Sequence, residues 1–83
     1  PVAGSAKGAW RIQLGAFSQR SSAEALYRRL SGSAPVEGRR QFLVAAGGVT
    51  RLQIGPYPSR SAAEAACSAL AARGQDCFPV AAK

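Results

Sequence analysis

A twenty-residue stretch of this 83-residue chain is repeated forty residues later. Residues 11–30 read RIQLGAFSQRSSAEALYRRL and residues 51–70 read RLQIGPYPSRSAAEAACSAL, with nine of the twenty paired positions identical. Several of the other pairs exchange similar side chains, such as Phe17 and Tyr57. A solenoid needs roughly three or more repeats to bury a continuous core. Two copies therefore predict one compact domain with internal pseudo-symmetry, which suits a chain of this length.

Each copy predicts a strand followed by a helix. Ile12 and Leu14 alternate with polar neighbours, and residues 51–54 repeat this alternation, which is the period-two pattern of a half-buried strand. The predicted helix start is a capping box, S-x-x-E, at residues 21–24 and 61–64. In this motif the serine hydroxyl accepts a hydrogen bond from the N–H three residues later.

The helices are expected to end near Gly32 and Gly74. Their buried stripes are predicted at helical spacing. The predicted stripe residues are Ala23, Leu26, Tyr27, Leu30, Ala63, Ala66, Cys67 and Leu70.

Two further strands complete the predicted fold, at residues 41–46 and 76–81. The order is then β-α-β-β-α-β, an α+β sandwich of the RNP or ferredoxin-like type, with a four-stranded antiparallel sheet and two helices on one face. Right-handed crossovers place the first and third strands side by side at the centre. Their outer face has no element to cover it and is the candidate binding surface. It carries Arg11, Gln13, Arg51 and Gln53.

The chain is strongly basic, with eleven Lys and Arg against four Asp and Glu and a net charge of +7. Such a charge favours a polyanionic partner, which can be nucleic acid, an anionic lipid surface or an acidic polysaccharide. The alternative interpretation is that the arginine- and alanine-rich composition reflects a GC-rich genome and solubility alone. No apolar run approaches the roughly 20 residues that cross a bilayer.

Residues 1–8 read PVAGSAKG, a small, polar, glycine-containing stretch that predicts a flexible linker. We expect the chain to be part of a larger protein, with a folded binding domain over residues 9–82.

The sequence shows no catalytic constellation. It contains no histidine, and two of its four carboxylates fall in the predicted capping boxes. The other two, Glu37 and Asp76, lie in or near predicted loops, so the facing carboxyl pair of a glycosidase is not indicated. The two cysteines have no histidine to activate a thiolate, and their spacing matches no common zinc pattern. The sequence therefore predicts a binding module rather than an enzyme, with no cofactor and no metal.

The cysteines predict a disulfide. Cys67 lies on the inner stripe of the second predicted helix, and if Phe78 points to the uncovered face, alternation directs Cys77 toward the helices. The two thiols then meet in one layer. A disulfide would indicate an oxidising compartment such as the bacterial periplasm, whereas the alternative is two buried free thiols in a cytosolic protein.

The repeated motifs resemble a known family. A strand ending Q-x-G-[SA]-F, here RIQLGAF, combines with R-x-x-x-G-P-[FY] and an R-x-x-A-E-A helix, here in TRLQIGPYPSRSAAEAACSAL. This combination resembles the SPOR domain of bacterial cell-division proteins over about residues 9–82. The resemblance is greatest to the C-terminal SPOR domain of rare lipoprotein A-type septal lytic transglycosylases, on the basis of the linker, the alanine-rich helices and the expected disulfide. It implies a periplasmic or cell-envelope location, enriched at the division septum.

The resemblance also implies a ligand and its site. SPOR domains bind denuded peptidoglycan, the GlcNAc-MurNAc glycan strands from which amidases have removed the stem peptides, on the exposed sheet face. Many members have serine where this chain has Ala16, and tryptophan where it has Val49. Carried over by position, the glycan-binding residues are Gln13, Ala16, Phe17, Val49, Thr50, Arg51 and Phe78.

The chemistry of a denuded strand suits these side chains. Each N-acetylmuramic acid keeps a free lactyl carboxylate, which arginine binds through charge-assisted hydrogen bonds. Gln13 and Gln53 can bond N-acetyl and hydroxyl groups, while Phe17 and Phe78 offer apolar faces to sugar rings. Phe17 can equally belong to the core beneath the turn, and Phe42 can lie on either face.

Two other functions stay open at this point. An RRM-like single-stranded RNA-binding domain has the same element order and a basic surface. Here, however, Arg and Gln occupy the central strands, and the RRM aromatic motif is missing. The second alternative is a protein-docking module that uses the sheet. We expect a monomer that binds glycan and that neither binds nucleic acid nor inserts into a membrane.

Overall fold

The computed structural model describes residues 10–81, so the predicted linker, residues 1–8, lies outside the described part. The predicted β-α-β-β-α-β order is confirmed. The second strand begins at Arg40 rather than Gln41, and the fourth begins at Phe78 rather than Asp76. The elements are β1 Trp10–Phe17, α1 Arg20–Leu30, β2 Arg40–Ala46, β3 Val49–Tyr57, α2 Arg60–Ala71 and β4 Phe78–Ala81.

The four strands form one antiparallel sheet in the order β2-β3-β1-β4. The repeated segments therefore supply the two central strands, as predicted. Their pairing extends from Trp10 opposite Tyr57 to Phe17 opposite Thr50. Both helices cover one face of this sheet, and the core lies between them and the strands. We call the other sheet surface the open face.

Alternate residues of the central strands enter the core. The alternating side chains of Ile12, Leu14, Leu52 and Ile54 are at most 3% exposed, and Tyr57 at the end of β3 is 1% exposed. The helices bury Ala23, Leu26, Ala63, Ala66, Cys67 and Leu70 against them. Tyr27 and Leu30, also predicted for the stripe, pack against this core while staying partly exposed. A fully buried Leu or Ile contributes about 1.5–3 kcal/mol relative to exposure, so β1 and β3 supply much of the hydrophobic stabilisation.

Two tyrosines fasten the segment between α1 and β2 to the core. The Tyr57 hydroxyl donates to the carbonyl oxygen of Pro35 at 2.6 Å, and the Tyr27 hydroxyl donates to that of Arg39. Val36 lies between these anchors and is 1% exposed. Burial raises the pKa of Tyr57 above its ordinary value, and the nearby Arg39 opposes the shift. The phenol therefore stays protonated and able to donate.

The capping-box prediction is wrong in both copies. The helices begin at Arg20 and Arg60, so Ser21 and Ser61 lie inside their first turns, where a hydroxyl cannot occupy the cap position. The cap of α2 is Ser59, whose hydroxyl oxygen accepts a hydrogen bond from the backbone N–H three residues later at 3.1 Å. The residue at the corresponding position of α1 makes no side-chain cap bond.

The two glutamates of the supposed capping boxes form ion pairs instead. Glu24 pairs with Arg20 at 3.3 Å, and Glu64 pairs with Arg60 at 3.0 Å, each four residues apart on a helix. Exposed pairs of this kind contribute about 0.3–0.5 kcal/mol. Both carboxylates therefore belong to the helix surface and not to the open face.

Gly74 ends its helix as predicted, whereas Gly32 does not. Gly74 has φ 83°, in the left-handed region that favours glycine at a helix C-terminus. The N–H of Gln75 then folds back to donate to the carbonyl oxygen of Leu70 at 3.0 Å. In α1 the chain leaves the helix after Leu30, and Gly32 has no positive φ.

The predicted disulfide between Cys67 and Cys77 is present, with a Cα–Cα distance of 5.1 Å. Cys67 belongs to the buried stripe of α2, and Cys77 directly precedes β4 and packs against the core. The bond ties a four-residue edge strand to a helix. It therefore fixes the strand that carries Phe78.

We expect Ser59→Ala to lower the free energy of unfolding by about 1 kcal/mol, because the first turn of α2 loses its cap. Ser61→Ala is the matched control and should change stability by less than about 0.5 kcal/mol, since its hydroxyl caps nothing. Urea unfolding of both variants measures this. Equal losses, or the larger loss at Ser61, would contradict the capping assignment.

Oxidised protein should resist alkylation at both cysteines when its intact mass is measured without reductant. Reduction should lower the free energy of unfolding by about 3 kcal/mol, the chain-entropy value for a short closed loop. Two alkylated cysteines in carefully oxidised material, or identical urea midpoints with and without reductant, would show that the bond does not form or does not stabilise.

Candidate functional site

The open face is built by alternate residues of all four strands. Gln13 lies opposite Gln53 on one side and opposite Phe78 on the other. On the outer strands, Phe42 lies opposite Gln53, and Val80 opposite Arg11. Directly opposed residues of antiparallel strands share a face. The central strands thus contribute Arg11, Gln13, Ala16, Val49, Arg51 and Gln53, and the outer strands contribute Phe42, Val44, Phe78 and Val80.

A chain of polar side chains runs across the centre of this face. A guanidinium N–H of Arg11 donates to Oε1 of Gln53 at 3.3 Å. The amide nitrogen of Gln53 in turn donates to Oε1 of Gln13 at 3.1 Å. Side chains held in such a network lose less conformational entropy when a ligand binds. The centre of the open face is therefore ordered before any ligand arrives.

Arg11 crosses from β1 toward the edge strand β2. Its guanidinium carbon lies 3.7 Å from the centroid of the Phe42 ring, a cation–π contact. A Cβ at Gly55 would come within 3.1 Å of Cγ of Arg11 and 3.2 Å of the carbonyl oxygen of Trp10. Glycine at position 55 therefore makes room for the arginine stem and the neighbouring strand.

Phe78 is the large apolar side chain that the open face presents to solvent. It is 52% exposed and lies beside Gln13, at the start of β4. An exposed large apolar residue is informative because folding alone favours its burial. Here it supplies an apolar contact surface next to a polar network.

The open face is basic. It carries Arg11 and Arg51, and Arg51 is exposed. Within residues 10–81 the two carboxylates in ion pairs, Glu24 and Glu64, lie on the helices. The remaining two lie in the connections before β2 and β4. None of these four carboxylates lies on a strand, so an anionic ligand would meet the positive charge of Arg11 and Arg51 on this surface.

The structure brings six of the eight predicted glycan-binding residues to the open face: Gln13, Ala16, Val49, Arg51, Gln53 and Phe78. Ala16 reaches it because the register shifts between Gln13 and Gly15, where Gly15 has φ 146°. Phe17 and its cross-strand partner Thr50 point to the helix side, and Phe17 packs against the core. These two therefore lie at the end of the sheet and not on the open face.

Sequence reasoning placed Arg11 on the uncovered face but left it out of the binding set. It also left the side of Phe42 undecided and did not consider Val44 or Val80. The alternation of β2 would have placed Phe42 and Val44, since Leu43 between them packs against the core. The stack between Arg11 and Phe42 has no sequence signal, because the two residues lie on strands that are not neighbours.

A groove of about 600 Å³ lies beyond one end of the open face. It is lined by Ala16 and Phe17 at the end of β1, by Ser22 and Arg29 of α1, and by Asp76 of the connection before β4. Only the rim at Ala16 belongs to the open face. The groove therefore lies apart from the Arg11–Gln53–Gln13 network at the centre of the sheet.

Residues 10–81 contain neither a cluster of metal ligands nor a membrane-spanning helix. This part of the chain holds no group of three or more His, Cys, Asp or Glu placed to bind a metal ion. Neither helix among these residues is long and apolar enough to span a bilayer.

The element order, the two central strands and the polar open face define a four-stranded α+β binding domain. The sequence model of the SPOR domain family matches residues 6–81. The chain belongs to the SPOR domain family. A comparison with curated protein sequences gave no match.

The fold is similar to the solution structure of the peptidoglycan-binding domain of the B. subtilis cell wall lytic enzyme CwlC. The two structures superpose with a TM-score of 0.70 over 93% of this chain and 92% of that one, at 21% sequence identity. This likeness supports the fold independently of the sequence motifs.

Proposed function

We propose that the open face binds denuded peptidoglycan glycan strands and that this binding directs the parent protein to the division septum. The observation that carries the proposal is the presence of Arg51, the Gln13–Gln53 pair and Phe78 on one uncovered, basic surface. Membership of the SPOR domain family supports the ligand class. The CwlC domain, whose fold is similar to that of this chain, is named as a peptidoglycan-binding domain, which is consistent with this ligand class.

Each side chain matches one part of the ligand. The lactyl carboxylate of a muramic acid residue suits Arg51, which is exposed and makes no ion pair within residues 10–81. The glutamine pair suits N-acetyl and hydroxyl groups, and Phe78 suits the apolar face of a sugar ring. Val49 and Ala16 add apolar contact near Arg51, since Ala16 is its cross-strand partner.

Selectivity for denuded strands follows from charge and bulk. A stem peptide attached to the lactyl group converts the carboxylate to an amide, which removes the charge that arginine attracts. It also adds a chain that a strand lying flat on the sheet cannot accommodate. Attraction to one ligand and exclusion of the other then act together.

The wider setting is part of the proposal. The chain would be a monomeric, non-catalytic module in the periplasm, attached to a lytic transglycosylase of the rare lipoprotein A type. The linker sequence, the alanine-rich helices and the Cys67–Cys77 disulfide support this parent, and the disulfide also supports an oxidising compartment.

Arg51→Ala should weaken binding to denuded glycan by roughly 1.5–3 kcal/mol, the range for a hydrogen bond to a charged group. The deficit should shrink as salt rises, since screening weakens the wild-type contact. Phe78→Ala should also weaken binding, but with little dependence on salt because it removes apolar contact. Arg28→Ala, which removes the same charge from the exposed surface of α1, is the matched control.

Calorimetric titration with denuded glycan, peptide-bearing glycan and single-stranded RNA at low and moderate salt measures these effects. Wild type should prefer denuded glycan over both other ligands. Equal binding of the two glycans, or full affinity in both the Arg51 and Phe78 variants, would contradict the proposal. Preference for RNA would favour the RRM-like alternative.

A further inference from the structure

We infer that Arg11 is a second carboxylate-binding residue of the open face and that it sets the orientation of the glutamine pair beside it. The inference rests on the proposed glycan function and assigns a ligand group to a residue outside the predicted binding set. It is carried by the contacts that hold the guanidinium in place.

The Arg11 guanidinium is held on three sides. The ring of Phe42 lies 3.7 Å beneath it, Oε1 of Gln53 accepts one of its N–H groups at 3.3 Å, and its stem passes over Gly55. A planar guanidinium fixed in this way loses little rotamer freedom when it binds a carboxylate. Arg51, by contrast, is exposed and has no such support among the hydrogen bonds of residues 10–81.

Arg11 also determines which way the glutamines point. Arginine has donors and no acceptor, so Gln53 must turn its oxygen toward Arg11 and its nitrogen toward Gln13. Gln13 then accepts through Oε1 at 3.1 Å and keeps its own amide nitrogen free to donate. The network therefore engages both amide oxygens as acceptors and, within residues 10–81, leaves unused N–H groups on Arg11, Gln13 and Gln53.

The unused N–H groups of Arg11, Gln13 and Gln53 suit a ligand that presents hydrogen-bond acceptors. Carboxylate oxygens, N-acetyl carbonyl oxygens and sugar hydroxyl oxygens all accept hydrogen bonds. The two described ion pairs use other arginines, so the charge of Arg11 is not neutralised by either. The carboxylate is the group that a fixed, charged fork binds most strongly.

The two arginines lie at different points along the central strands. Arg11 lies on β1 beside Gly55, and Arg51 lies four residues earlier than Gly55 on β3, which places the two backbone positions roughly 13 Å apart along the strand direction. A denuded strand presents one lactyl carboxylate per disaccharide. Arg51 lies along β3 from the Arg11–Gln53–Gln13 network, so the two arginines suit two successive carboxylates, and the smallest full ligand contains two muramic acid residues.

The test uses three variants in the whole domain. Arg11→Met removes the charge and all donors but keeps a long apolar stem, and Arg11→Lys keeps the charge but loses the planar fork. Arg28→Met on the exposed surface of α1 is the control for loss of one positive charge. Binding is measured by calorimetric titration with a denuded disaccharide, a denuded tetrasaccharide and a peptide-bearing tetrasaccharide.

Arg11→Met should weaken tetrasaccharide binding by roughly tenfold or more, since a charge-assisted hydrogen bond is lost. Arg11→Lys should lose most of the same affinity, because lysine supplies neither the fork nor the stack. The gain in affinity from disaccharide to tetrasaccharide should shrink in both variants. Arg28→Met should bind like wild type.

A second readout reports the glutamine orientation without ligand. The chain has five glutamines and no asparagine, so its side-chain amide NMR spectrum is simple to assign. In Arg11→Met the Gln13 and Gln53 amide signals should shift, while those of Gln19 and Gln75 should not. Unchanged Gln13 and Gln53 signals would overturn the positioning role.

The outcomes separate this inference from the proposed function. If wild type does not prefer denuded to peptide-bearing tetrasaccharide, the proposed function fails and the inference fails with it. If wild type shows that preference and Arg11→Met retains full affinity, only the inference is overturned. Full affinity in Arg11→Lys alone would overturn the role of the stacked fork, because charge would then be sufficient.

Discussion

The antiparallel pairing of β1 with β3 is the interaction on which the rest of the structure depends. It joins the strands of the two repeats, so that Ile12, Leu14, Leu52 and Ile54 meet in one buried layer. The same alternation places Arg11, Gln13, Arg51 and Gln53 together on the other side. Hydrophobic burial thus positions the polar surface. A one-residue shift of either strand would turn its apolar side chains to solvent and its polar side chains to the core, so burial fixes both faces at once.

Two glycines adapt this regular pairing to the site. The positive φ of Gly15 allows the register to shift, which brings Ala16 opposite Arg51. The missing side chain of Gly55 lets the stem of Arg11 pass across β3 to the ring of Phe42. Outside the central pair, the Cys67–Cys77 bond holds β4, and with it Phe78, at the edge of the same surface. The open face is therefore a product of the sheet's backbone as much as of its side chains.

Features that depend on periodicity were predicted correctly from the sequence. Predictions were wrong or missing where two local patterns coincide and where a contact joins residues far apart in the chain. Alternation in the repeat correctly predicted the central strands and the open face, and alternation at Cys77 and Phe78 correctly predicted the disulfide layer. The S-x-x-E motif was misleading because each glutamate also follows an arginine by four residues, and the ion pair is what forms. Phe17 was ambiguous because the irregularity at Gly15 reverses the expected face. The Arg11–Phe42 contact requires the register of three strands, which no local pattern contains.

The position of the ligand can be observed directly with intermolecular NOEs between a denuded tetrasaccharide and the isotope-labelled domain. We expect sugar and N-acetyl methyl protons to give NOEs to the Phe78 ring and to the side-chain amides of Gln13 and Gln53, with none to the helices. NOEs confined to Ser22, Ala25 and Arg29, which line the groove beside α1, would contradict binding on the open face. That result would leave the fold intact and move the site to the groove beyond the end of the open face.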